Sequence, residues 1–219
     1  MGWISGSWVY AATLLMYTSG GVCAAGTLTV RIIDKNGAPV PGAVVFLGDE
    51  ERSTALQHSR VIVDQINKAF VPEVTVIQVG TEVEFPNSDD IRHHVYSFAQ
   101  PNSFELPLYK GEHRPTIRFD HPGIVTLGCN IHDSMLGYII VVDTPHYAIS
   151  DGGGNATLTG LKSNDVGILK VWSPRLDNFE VLRAVEVSSA PDSVRRFQIS
   201  KKLRPTAKPV SGSLAWDDY

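Results

Sequence analysis

From Thr27 to Pro174 the chain is a succession of short runs rich in Val, Ile and Thr, each cut off by Gly, Pro, Asn or Asp, and no stretch keeps a helical period. "TLTVRIIDKNGAPVPGAVVFL" predicts a strand over Thr27–Ile33, a turn over Asp34–Gly37, a corner at Pro39–Gly42 and a second strand through Leu47. "SRVIVDQINKAFVPEVTVIQVGTEVEFPNSDDIRHHVYSFA" continues the alternation with breaks at Pro72, Gly80 and "PNSDD". A loop is expected over Gln100–Arg114, then strands in "TIRFDHPGIVTLGC" and "LGYIIVVD", and more in "AISDGGGNATLTGLKSNDVGILKVWSP". Turns at this spacing predict an all-β chain of sandwich architecture. From Pro205 the period is lost, and residues 205–219 are expected to trail as a flexible tail.

The first residues ask for a different reading. No charged side chain occurs before Arg31, the apolar run "WVYAATLLM" spans Trp8–Met16, and small residues follow in "TSGGVCAAG". Residues 1–25 therefore predict an export signal cleaved near Ala24 or Ala25, which places the protein in the periplasm. The run is shorter than the ~20 residues a membrane-spanning helix needs, so no stable membrane span is expected. A lipid anchor at Cys23 is the competing reading, and Val22 in front of it argues against that. With 43% hydrophobic and 19% charged residues the remainder can build real cores, and a formal charge of -4 without a basic, aromatic-laced stripe gives no surface for nucleic acid.

Cleavage there would leave one cysteine, Cys129, and one methionine, Met135, both in the run "CNIHDSM". A lone cysteine in an exported chain has no internal disulfide partner, and an unused thiol in an oxidising compartment is a liability. Cys129, His132 and Met135 stand three residues apart and offer a thiolate, an imidazole and a thioether, a donor set suited to copper cycling between Cu(I) and Cu(II). Structural zinc sites have no place for a thioether and use cysteine pairs that this chain lacks. A blue-copper centre needs a second imidazole from elsewhere.

The stretch "FPNSDDIRHHVYSF" offers His93 and His94, which strand alternation points to opposite faces, so only one can enter a shared pocket. Phe85, Asn87, His93 and Val95 resemble the plastocyanin and amicyanin motif that delivers the first histidine ligand, and "FDHPGIVTLGCNIHDSMLGYIIVV" resembles the closing ligand loop of that family. Residues 58–143 cover about one cupredoxin domain, a Greek-key β-sandwich, and the whole chain resembles the periplasmic cupredoxin-containing proteins labelled methylamine utilization proteins. The resemblance implies one type 1 copper held by His93, Cys129, His132 and Met135, with His93 chosen over His94 by register. It also implies one-electron transfer with a redox partner protein, and no enzymatic activity. A copper-binding or delivery protein and a structural β-sandwich module are the alternative readings.

His58, His113, His121 and His146 have no partner at ligand spacing. Residues 26–57 and 144–204 together resemble one carboxypeptidase-regulatory-like sandwich split by the copper domain. Trp172 and Gly152–Gly154 read as core and turn, and the Asn155-Ala156-Thr157 sequon as chance.

Overall fold

The computed structural model describes residues 26–48, 60–111, 113–161, 166–177, 181–188 and 193–205. The expected export signal over 1–25, residues 49–57 of the first flanking segment, His58 and nearly all of the expected tail lie outside the described residues. Among the described residues there are seventeen strands and no helix, so none long and apolar enough to cross a membrane.

The first strands are β1 (Gly26–Ile33), β2 (Val44–Gly48), β3 (Arg60–Ile62), β4 (Asp64–Ile66), β5 (Ala69–Val71), β6 (Val74–Gln78), β7 (Thr81–Glu84) and β8 (His93–Ser97). They are followed by β9 (Phe104–Tyr109), β10 (Thr116–Phe119), β11 (Gly123–Gly128) and β12 (Leu136–Val142). Last come β13 (Tyr147–Ile149), β14 (Asn155–Leu161), β15 (Val166–Trp172), β16 (Leu182–Ser188) and β17 (Ser193–Gln198).

The middle of the chain forms a five-stranded sheet in the order β6-β12-β11-β8-β9, a three-stranded sheet β10-β7-β3 and the hairpin β4-β5. The flanking segments form two more sheets, β14-β1-β17 and β13-β2-β15-β16. Val63, Phe85, Val95, Phe119, Val125, Leu127, Ile139 and Val141 fill the core of the middle portion, and Leu28, Val30, Ile32, Val45, Leu47, Leu158 and Val171 fill that of the flanking portion.

Strand β12 shows why "LGYIIVV" is an unbroken apolar run and not an alternating one. Ile139 and Val141 enter the middle core, while Tyr138, Ile140 and Val142 meet Val44, Phe46 and Trp172 on the opposite face. A strand covered on both faces has no position for a polar residue. Tyr138 and Trp172 pack edge to face with ring centroids 5.1 Å apart, and both are almost fully buried. Each large apolar side chain buried in this way contributes about 1.5–3 kcal/mol, so β12 supports the middle core on one face and a separate cluster with Val44, Phe46 and Trp172 on the other.

One expectation is corrected. The loop predicted over Gln100–Arg114 contains β9, which pairs antiparallel with β8 at the edge of the five-stranded sheet. Pro107 in "FELPLY" breaks the sequence signal for a strand, and an edge position tolerates it because one side of the strand has no ladder to complete.

The β4-β5 hairpin turns on Asn67 and Lys68, whose φ angles are 54° and 59°. Both central residues of such a turn must take positive φ, a conformation that costs a non-glycine residue about 1–2 kcal/mol. The turn is held by Asp89, whose Oδ1 accepts from the Asn67 N–H at 2.6 Å and Oδ2 from the Lys68 N–H at 2.9 Å. Phe70 then packs on Gly137 of β12, where an added Cβ would sit 2.9 Å from Phe70 Cβ.

Candidate metal centre

Strands β11 and β12 are antiparallel neighbours, with Gly128 opposite Leu136, so residues 129–135 form the loop that joins them. Cys129 and Met135 are its first and last residues, and both point inward, 3% and 1% exposed. The Met135 N–H donates to the His132 carbonyl at 2.9 Å, which folds the loop back and holds His132 near its tip. His93 enters from the first position of β8, the strand beside β11, and its side chain is fully buried.

The three side chains His93, Cys129 and His132 converge, each with a donor atom within 4.8 Å of the others. Cys129 Sγ lies 3.8 Å from His93 Nδ1, and the two imidazole centroids are 5.1 Å apart. Cys129 is a free, buried thiol. His132 Nδ1 is buried with no hydrogen-bond partner, an arrangement that costs about 1–3 kcal/mol unless something else binds the nitrogen. A divalent ion bound by nitrogen at ~2.0 Å and sulfur at ~2.3 Å spaces its donors by roughly 3.5–4 Å, so the cluster could hold one metal ion. Met135 belongs to the same buried cluster as Cys129.

His94 goes elsewhere. Its Nε2 lies 2.9 Å from Glu105 Oε1 on β9, and its ring faces Tyr96 at 5.5 Å between centroids. His113 packs edge to face on Tyr109, His146 Nδ1 lies 3.0 Å from the Thr159 carbonyl oxygen, and the His121 carbonyl accepts from Asn102.

Several groups around the cluster carry no ligand signature in the sequence. Asp89 Oδ2 is 2.6 Å from His93 Nε2. Burial alone would raise the Asp89 pKa, but hydrogen bonds from the Lys68 N–H, the His93 ring and the Asn67 N–H outweigh it and lower it below the usual carboxylate value. Asp89 is therefore an anion that can only accept, and His93 Nε2 carries the proton. In a neutral ring that arrangement would leave Nδ1, 3.8 Å from Cys129 Sγ, as the lone-pair nitrogen.

Asn87 braces the same loop. Its Nδ2 donates to the carbonyls of Ile91 and Tyr109, and its Oδ1 accepts from the Asp89 N–H. Beneath it, Gln65 Nε2 donates to the Pro86 carbonyl and to Tyr109 Oη, which donates in turn to the Phe85 carbonyl at 2.7 Å. Burial holds the Tyr109 phenol far above its ordinary pKa, so it stays a donor.

His132 is lowered from the ordinary imidazole value by burial, then by the neighbouring His93 and Lys68. A neutral imidazole is the form that binds a metal, and protons compete less well for this one. It is half-buried, whereas the other three side chains are buried, and the exposed Ile131 and Leu136 stand on either side of it in the chain.

No protein-family model matches the chain, and no curated protein matches it. The solved structures it resembles are cupredoxins. A copper-containing nitrite reductase (NirK) from Thermus scotoductus SA-01 is 26% identical over 52% of this chain, with a TM-score of 0.38, and the match spans only 28% of that enzyme's chain. A novel purple cupredoxin from Nitrosopumilus maritimus is 22% identical over 38% of this chain and 99% of its own, with a TM-score of 0.34. An amicyanin variant in its reduced Cu(I) form is 19% identical over 45% of this chain and 98% of its own, with a TM-score of 0.36. The His93–Cys129–His132 cluster fits a blue-copper site.

Proposed function

We propose that this chain is a periplasmic type 1 copper protein that carries single electrons, with His93, Cys129 and His132 as the strong ligands and Met135 as the weak axial one. The observation that carries the reading is the buried thiol set between two imidazoles, one of them with an orphaned buried Nδ1. Copper bound by such a set changes between Cu(II) and Cu(I) with little change in its ligands, which is what rapid one-electron exchange requires.

The chain's own residues account for the rest. Asn87 and the β8 pairing fix His93, and the short loop between β11 and β12 fixes the other donors, so the ligands are preset by the fold. His93, Cys129 and Met135 are closed off from water, and half-buried His132 is the way in for an electron. Ile131 and Leu136 give a partner protein an apolar surface to rest on there.

The proposal includes a division of the chain into a copper domain over 58–143 and an accessory sandwich over 26–57 and 144–204. In its favour, every strand pairing among the described residues joins strands within one of these groups. Export through residues 1–25 remains part of the proposal.

The test is to express the chain with copper and record its visible absorption, electron paramagnetic resonance and voltammetry. An intense blue band, a small copper hyperfine splitting and reversible one-electron reduction are expected. A colourless protein with a tetragonal signal would rule out the type 1 assignment. A blue protein that cannot be reduced reversibly would favour copper delivery.

A further inference from the structure

Two histidine–carboxylate pairs occur on adjacent residues of β8, and their settings differ. Glu105, the partner of His94, is 71% exposed, so water screens its charge. Asp89, the partner of His93, is 13% exposed and the His93 ring is fully buried, so that charge acts through a medium of lower dielectric. The Asp89 carboxylate also accepts from the Asn67 and Lys68 N–H groups, and the residue's own backbone N–H donates to Asn87 Oδ1.

We propose that Asp89 is a positioning residue for the metal centre: it holds the His93 ring with Nδ1 toward Cys129 and favours divalent over monovalent copper. The orienting part follows from geometry, since a ring whose Nε2–H is committed to a fixed carboxylate presents only Nδ1 to the pocket. The electrostatic part follows from Coulomb's law. An anion attracts a doubly charged ion twice as strongly as a singly charged one at the same place, so it lowers the reduction potential. Asp89 also anchors the strained Asn67–Lys68 turn, so the hairpin that packs on Gly137 and the histidine share one carboxylate.

The inference rests on the copper reading, and the test separates the two. In metal-free wild type, nitrogen-15 spectra of the His93 ring should show a proton on Nε2 and none on Nδ1. A proton on Nδ1, or a ring averaging between tautomers, would overturn the orienting role even if every variant failed to fold. Asp89→Asn keeps the size and one accepting oxygen but removes the charge. It should remain blue, lose about 10–100-fold in Cu(II) affinity and less in Cu(I) affinity, and show a higher potential. A purely structural role would lower stability and leave the potential and the ratio of the two affinities unchanged. That result with a blue wild type sinks the electrostatic role alone. A wild type that binds no copper sinks the copper reading, and this inference with it.

Discussion

The Tyr96 ring lies across Gly128, the residue before Cys129: a Cβ on Gly128 would sit 2.7 Å from Tyr96 Cζ and 2.8 Å from its hydroxyl oxygen. The two residues are also register partners of β8 and β11. Glycine is needed there so that the strand leading into the thiol can run beneath an aromatic ring.

Gly128→Ala should therefore push the ring tip aside and cost about 1–3 kcal/mol, the usual range for overpacking. Denaturant unfolding measures the loss. Tyr96→Ala in the same chain should recover most of it, because the two positions are directly coupled. A double variant that loses the sum of the two single losses would show that the close approach carries no energy.

The adjacent histidines should separate cleanly. His93→Ala is expected to abolish the blue band of the copper-loaded protein, whereas His94→Ala keeps it, since His94 is tied to Glu105. The cost of His94→Ala in stability should stay near 1 kcal/mol, because Glu105 is largely exposed and the other ring nitrogen of His94 is buried without a partner. Absorption spectra and unfolding curves of the two variants check both statements.

Acid should weaken the metal-free protein through His132. Its folded pKa lies below the ordinary 6.5, so the unfolded chain binds the proton more readily. The contribution is complete above about pH 6.5 and is lost as pH falls through the folded value. Asp89, lowered from 3.8, adds a second loss at lower pH, so the two windows do not coincide. Urea midpoints followed across pH should show the upper window in wild type and its disappearance in His132→Gln.

Trp172→Ala should cost about 3–5 kcal/mol, since it empties a nearly fully buried site against Tyr138. The copper spectrum should hardly change, because Tyr138 lies on the face of β12 turned away from the core that contains Cys129 and Met135. A large spectral change would mean that the flanking sheets hold the ligand loop in place.

What the sequence determined by itself is local. Period-two alternation and turn residues are properties of neighbours in the chain, and they mark the all-β class and most strands. The three-residue spacing of Cys129, His132 and Met135 is likewise local, and the structure places all three on one loop between paired strands. Alternation also shows that His93 and His94 face opposite ways, though not which of them faces in. The register of the family resemblance points to His93, and only the folded chain supplies the physical reason, because a strand has no inside until a second sheet covers it.

Strand β9 escaped for a related reason: Pro107 disqualifies a central strand, and only the assembled sheet shows that this one is an edge. Asp89 is the sharpest case. In "PNSDD" it reads as a turn residue, and its value as a fixed anion for His93 depends on the Asn67–Lys68 turn, more than twenty residues away in the chain, presenting two N–H groups to it. Hydrogen bonds between distant segments leave no periodicity behind, so the candidate donors can be seen in the sequence while the groups packed around them appear only once the chain is folded.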